Sequence, residues 1–286
     1  MNQILLPLCL AATWLIWGST YLGIRFALES FPPFMLSGIR HVIAGVLMLL
    51  FMRMRNIPFP NWKQTVNAAF IGLLMLTVGN ALVCVAEKKV ASGAAALIVA
   101  ATPILTVIVN LFFQVRAKRL EWMGLIVGLG GLILINYDQS LQAEPFATML
   151  IFIACLSWAL AGALMPRLDM PSGVASSTVQ MLAGGLSALI ISGIQGEQIG
   201  TVTTAAIGAL AWLTICGSMV AYSAYVWLLK HARPALATSC CYVNPVVALL
   251  LGNLLAQEVL TPQLIGGAGI TLAGVALMGL AARRGS

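Results

Sequence analysis

Apolar and polar positions alternate along this chain in long blocks rather than residue by residue. Ten stretches, 4–24, 33–52, 65–86, 92–113, 120–136, 146–165, 173–194, 205–229, 235–256 and 262–281, are almost wholly apolar, and charges gather between them. Each comes close to the roughly 20 residues that carry a helix across hydrocarbon. The pattern predicts an all-α polytopic membrane protein with ten transmembrane helices. The first stretch lacks a positively charged leader and runs through Trp14 and Trp17, so it is read as a retained span and not as a signal peptide.

Charge gives the orientation. Arg53, Arg55, Lys63, Arg116, Lys118, Arg119, Arg167, Lys230, Arg233, Arg283 and Arg284 fall on one side, and Arg25, Lys88 and Lys89 on the other. The positive-inside rule places the larger set, and both termini, in the cytoplasm. The acids Glu29, Glu87, Asp138, Glu144, Glu197 and Glu258 then lie outside.

The blocks also repeat. Shifting the chain by 142 residues lays Pro103 on Pro245, Gly124 on Gly266 and Lys88 on Lys230; a shift of 141 lays Trp17 on Trp158, and 140 lays Arg40 on Gln180. This divides the chain into 1–140 and 141–286, five spans each. An odd number of spans makes the second repeat enter the membrane from the opposite face, the inverted arrangement of secondary transporters.

Composition narrows the class. Of 286 residues 60% are hydrophobic and 8% charged, with mean hydropathy +0.99; soluble domains carry about 25% charged residues. The net charge of +7 is scattered in short clusters, which fits membrane anchoring and not a nucleic-acid surface. The six cysteines, Cys9, Cys84, Cys155, Cys216, Cys240 and Cys241, form no C-x-x-C pair and read as small packing residues, so no metal and no cofactor is expected. There is no H-E-x-x-H, no G-x-S-x-G and no cluster of acids near a histidine, so an enzyme is not expected.

Several short motifs stand out. They are Trp17-Gly18-Ser19-Thr20-Tyr21 with Arg25, Pro32-Pro33 leading to Arg40, and Ala86-Glu87 before Ser92-Gly93-Ala94-Ala95. In the same way Thr102-Pro103, Ser157-Trp158-Ala159 and Pro234-Ala235-Leu236-Ala237-Thr238 running into Tyr242-Val243-Asn244-Pro245 are distinctive. On these motifs the whole chain resembles the EamA family of the drug/metabolite transporter superfamily, of the bacterial inner-membrane exporter type. The resemblance implies a ten-helix carrier of two inverted five-helix repeats that moves small metabolites, usually outward. It specifies no substrate.

Helical spacing groups polar and aromatic residues on faces. Trp14, Trp17 and Tyr21 share one, Thr77, Asn80 and Cys84 another, and Ser218, Tyr222 and Tyr225 a third. Such groups should not face lipid. With Thr102, Trp158, Tyr242 and Asn244 they are expected to line a central cavity of small net charge. The alternative for the aromatic residues is the interfacial belt, favoured for Trp62, Trp122 and Trp212.

Arg40 lies about two turns into the second stretch, either as a counter-charge or gate or as a packing anchor. The neutral equivalent Gln180 favours the anchor. His41 reads as packed or interfacial. Glu87, at the end of the third stretch, is a solvated boundary residue, a partner for Arg25, Lys88 or Lys89 at the outer mouth, or a proton-coupling group. Pro103 and Pro245 are expected to kink two equivalent spans as hinges. Small residues at Gly124, Gly128 and Gly131, and at Gly269 and Ala273, allow close helix contact, either between the fifth and tenth spans, which is favoured, or across a dimer. The expected function is export of amino acids, aromatic or otherwise neutral, and related small metabolites by alternating access. The runner-up readings are an organic-cation, multidrug or nucleobase exporter and a channel-like facilitator. The partners are the lipid bilayer and a small-molecule substrate, with the protein a monomer or weak homodimer.

Overall fold

The computed structural model describes residues 2–89, 95, 98–135, 144–256 and 261–283. Its long helices follow the apolar blocks: α1 (Asn2–Leu28), α2 (Pro33–Met54), α3 (Trp62–Ala86), α4 (Thr102–Phe112), α5 (Arg119–Ile135), α6 (Pro145–Leu164), α7 (Gly173–Ile194), α8 (Thr204–His231), α9 (Cys240–Ala256) and α10 (Pro262–Arg283). The turn Pro234–Ala237 leads into α9. Among the described residues, eight helical stretches are long and apolar enough to cross a membrane, where the pattern predicts ten. The other two are α4, with 11 residues, and α5, with 17. Residues 92–94, at the start of the fourth predicted stretch, and Asp138, Glu258 and Arg284 lie outside the described residues.

Proline marks helix starts at Pro33, Pro103, Pro145, Pro234 and Pro262, because the first turn needs no N–H donor. Pro103 stands in the first turn of α4, just after a turn at 100–101 that follows helical residues 98–99, so the kink expected in the fourth stretch takes the form of a break immediately before it. Pro245 does sit inside α9. The first turn of α2 has no local side-chain cap; instead Glu197, from the far half of the chain, accepts from the backbone N–H of Phe34 (3.2 Å) and Met35 (2.8 Å).

Large apolar side chains such as Leu15, Leu47, Phe152, Ile190 and Leu254 point outward, while Thr13, Ser37, Ser176 and Gln180 are completely buried. The polar groups therefore face inward, where other protein groups can satisfy them.

Equivalent helices of the two halves lie against each other and run antiparallel. On α2 and α7, Gly38 faces Leu189 and Gly45 faces Leu182; on α5 and α10, Gly124 faces Met278 and Gly131 faces Thr271. The second crossing is close enough that a Cβ on Gly274 would stand 2.5 Å from the nitrogen of Gly128. The contact of the fifth and tenth stretches is thus present, but its α10 face is Gly267, Thr271 and Gly274. Gly269 and Ala273 point outward. The first helix of each half packs on the third and fourth helices of the other: α1 on α8 and α9, and α6 on α3 and α4.

Candidate substrate cavity

Two segments depart from α-geometry. Leu73–Ala81 in α3 and Leu213–Tyr222 in α8 are π-helical, and they are equivalent under the sequence repeat. A π-turn widens the helix and loosens its backbone pairing, and such turns recur at functional sites. Each segment receives a tryptophan from the other half. Trp17 donates its indole N–H to the carbonyl of Gly217 at 3.2 Å. The Trp158 indole lies over Gly79, where a Cβ would collide with Nε1. Glycine is required there because of this approach.

Between these segments lies a cavity that offers ≈ 120 Å³ to the centres of water molecules. One half supplies Trp17, Thr20, Tyr21, Ile24, Arg40, His41, Leu76, Gly79, Asn80, Val83, Val99 and Thr102; the other supplies Ala154, Cys155, Trp158, Gly217, Ser218, Tyr222, Tyr225, Cys240, Cys241 and Asn244. Four aromatic rings make a box on one side. Trp17 meets Trp158 edge-on at 5.6 Å and Tyr225 at 5.1 Å, and Trp158 meets Tyr225 at 5.2 Å and Tyr222 at 6.3 Å. These separations suit favourable aromatic pairs. Beyond the box, Cys9, Leu10, Met165, Leu229 and Leu236 belong to a buried apolar cluster that also includes Tyr222 and Tyr225.

The prolines shape the same wall. Proline leaves the carbonyl four residues earlier without its helical donor. For Pro103 and Pro245 these are the carbonyls of Val99 and Cys241, both in the cavity wall and 142 residues apart. Asn244 is satisfied with its amide nitrogen donating to Cys240 O at 2.8 Å and Trp14 O at 3.2 Å. Trp14 Nε1 donates to Ser239 Oγ at 3.0 Å.

Arg40 is 4% exposed. One of its terminal nitrogens donates to Asn80 Oδ1, which also accepts from Ser37 Oγ at 3.3 Å. Its Nε has no partner among the described residues, nor has the Ser218 hydroxyl. His41 Nδ1 lies 2.7 Å from the carbonyl of Ser37. A carbonyl only accepts, so Nδ1 carries a proton. Among the described residues the cavity wall holds no aspartate or glutamate, and Arg40 gives it a small net positive charge. Glu87 caps α3 just past the cavity, with one carboxylate oxygen buried and unpartnered. Burial pushes its carboxyl up to about 8, against the pull of the Arg40 guanidinium.

Of the residues singled out from sequence, the structure gathers Trp17, Tyr21, Asn80, Thr102, Trp158, Ser218, Tyr222, Tyr225, Asn244 and Arg40 around this one space. Thr77 is not among them. Its hydroxyl bonds Gly184 O at 3.0 Å and Ser187, because the π-turn rotates Leu76 and Asn80 onto the cavity face instead. Tyr242 is also elsewhere: it is completely buried, with its ring on Gly128 and its hydroxyl donating to Leu125 O at 3.0 Å. It lies about 100° round α9 from Cys241. Arg25 is exposed, and the described residues contain no ion pair of Glu87 with Arg25, Lys88 or Lys89; Lys89 pairs with Glu144 at 3.1 Å. His41, Cys155, Cys240 and Cys241, read from sequence as packing residues, do line the cavity. Cys155 lies one turn before Trp158, and Thr20 one turn after Trp17, so the helical repeat already contained that signal.

An all-helical bundle with an apolar exterior and a partly polar, aromatic cavity between two related halves is the architecture of a membrane transporter. The model of the EamA-like transporter family matches the chain twice, over residues 5–137 and 145–280, and the chain belongs to that family. It is 43% identical to the uncharacterized inner membrane transporter YedA of Escherichia coli (strain K12) over 262 residues, 90% of this chain and 85% of that one. It is 24% identical to the uncharacterized transporter YdfC of Bacillus subtilis (strain 168), over 91% and 86% of the two chains. Against Protein PecM of Dickeya dadantii (strain 3937) the identity is 25%, over 88% and 84%. A solved crystal structure with 18% identity superposes with TM-score 0.79 over 97% of both chains, which shows a shared fold. The chain is a multi-pass inner-membrane transporter.

Proposed function

We propose that the chain is a secondary carrier of ten membrane-crossing helices in two inverted five-helix repeats, with both termini cytoplasmic. It exports neutral amino acids, aromatic ones included, and related small amphipathic metabolites by alternating access. The observation that carries this reading is the box of Trp17, Trp158, Tyr222 and Tyr225 inside a cavity built by both halves. Flat apolar side chains fill such a box well.

Inversion is supported by the antiparallel packing of the equivalent helices α2 with α7 and α5 with α10. Their exchange of roles about a common axis is the usual basis of rocking carriers. Pro245, inside α9, is the hinge in this reading, while the break before Pro103 gives α4 a loose start at the matching place. The cavity wall reaches Ile24 and Val83 at the outer ends of α1 and α3, while the apolar cluster fills the cytoplasmic side. In this reading the cavity faces outward.

Counterflow in proteoliposomes tests the carrier. Liposomes preloaded with L-phenylalanine should accelerate uptake of labelled L-phenylalanine several-fold over empty ones. Equal uptake with and without preload, for L-phenylalanine and for an organic amine alike, removes the carrier reading.

A further inference from the structure

We infer that Arg40 is the seat of a carboxylate on the transported molecule, so that the cavity selects amphipathic monocarboxylates and rejects organic cations. The inference rests on the reading of this cavity as the transport site. A guanidinium is always charged. Held inside a protein it is costly unless paired and fully hydrogen-bonded. Here Arg40 lines the cavity at 4% exposure. Its partner Asn80 is a neutral amide whose Oδ1 already serves both Arg40 and Ser37. The Nε is buried and unpartnered. The ion pairs among the described residues, Lys89 with Glu144 and Arg233 with Glu121, leave Arg40 out.

The cavity wall therefore presents a positive charge, a free donor on the guanidinium and the free hydroxyl of Ser218, with no acid among the described lining residues to receive a cation. A carboxylate supplies what is missing: a compensating charge and acceptors for the donors. Arginine binds carboxylates with a fork of two parallel N–H donors, which adds geometric selection to charge. The aromatic box takes the rest of the molecule. An amine without a carboxylate would bring a second positive charge into the same enclosed space, where repulsion outweighs any attraction to the ring faces.

Three probes of equal ring size separate the options: 3-phenylpropionate, L-phenylalanine and phenethylamine. With the purified full chain in detergent, the two carboxylates should raise the melting temperature, and the amine should not. Arg40→Gln should weaken both carboxylates roughly tenfold or more. Asn80→Asp keeps the guanidinium and its contact but neutralises it in place, and should weaken them as much. This second variant covers the case in which Arg40→Gln fails to fold. Stabilisation by phenethylamine equal to that by 3-phenylpropionate overturns the inference. So does a carboxylate-dependent shift that survives in either folded variant, or no shift with either carboxylate on the unaltered chain. Counterflow keeps the two readings apart. Exchange of the amine but not the carboxylates removes this inference and leaves the carrier standing; carboxylate-selective stabilisation without counterflow does the reverse.

Discussion

Tyr222 donates its hydroxyl to Gln180 Oε1 at 2.6 Å, and this bond is the repeat-related counterpart of the one from Arg40 to Asn80. Gln180 corresponds to Arg40 and Tyr222 to Asn80, so each half ties its second helix to the π-turn of its third. In one half the tie is neutral and closed, since Gln180 is completely buried. In the other it carries a charge with donors left over. The two halves share a scaffold, and the cavity's polarity comes from their difference.

Tyr222→Phe should keep the aromatic wall and lose that tie. It strands the buried Gln180 oxygen, at a cost of about 1–3 kcal/mol, read as a lower melting temperature in detergent. Tyr222→Ala should in addition reduce counterflow strongly, because a ring of the box is gone. Alanine at Trp17 or Asn80 should also lower transport without lowering the amount of folded protein. Normal transport by all three alanine variants removes the cavity assignment.

Gly79→Ala should be far more damaging to transport than its size implies. The added methyl meets the Trp158 indole and backbone nearby, so the ring must leave the box. Overpacking of this kind costs about 1–3 kcal/mol. Gly269→Ala on α10, where nothing lies within 4 Å, should be neutral in both melting temperature and counterflow.

Arg233 and Glu121 join the second half to the start of α5, with bonds of 2.5 Å and 2.7 Å. Glu121 also accepts from the backbone N–H of Lys118 at 2.7 Å. Glu121 is almost fully buried while Arg233 remains partly exposed, and the pair holds Arg233 charged at still higher pH than usual. Arg233→Gln should destabilise the chain by about 1.5–3 kcal/mol. It should also speed labelling of an engineered cytoplasmic-side cysteine in the cavity, as the inner side opens more often. Labelling no faster than in the parent rules out the pair as an inner latch.

The pH dependence follows from Glu87. With its carboxyl pushed up to about 8, it is neutral below that pH and charged above it. Once charged, it competes with a bound carboxylate for the field of Arg40. The affinity for 3-phenylpropionate, itself charged throughout, should fall as pH rises through about 8. Glu87→Gln should remove that slope. A slope unchanged in Glu87→Gln assigns it to another group.

Much of this molecule is legible in one dimension. Blocks of apolar residues locate the helices, because hydrocarbon leaves the backbone no alternative to internal hydrogen bonding. The offset pairs Trp17 with Trp158 and Arg40 with Gln180, and spacing places Ser218, Tyr222 and Tyr225 on one face. The same spacing fails at Thr77, since a π-turn shifts every later residue and leaves no mark in composition. It fails at Tyr242 because choosing between two adjacent faces of α9 depends on α5, more than 100 residues away in the chain.

By itself the sequence determined the class, the repeat and most of the aromatic wall, all of which depend on local hydrophobicity and period. Only the tertiary structure decided that Arg40 forms no ion pair among the described residues, that His41 and the adjacent Cys240 and Cys241 face the cavity, and that Gly267, Thr271 and Gly274 form the α10 contact. Charge pairing and close approach are properties of distances between helices, and those distances are set when the two halves pack together.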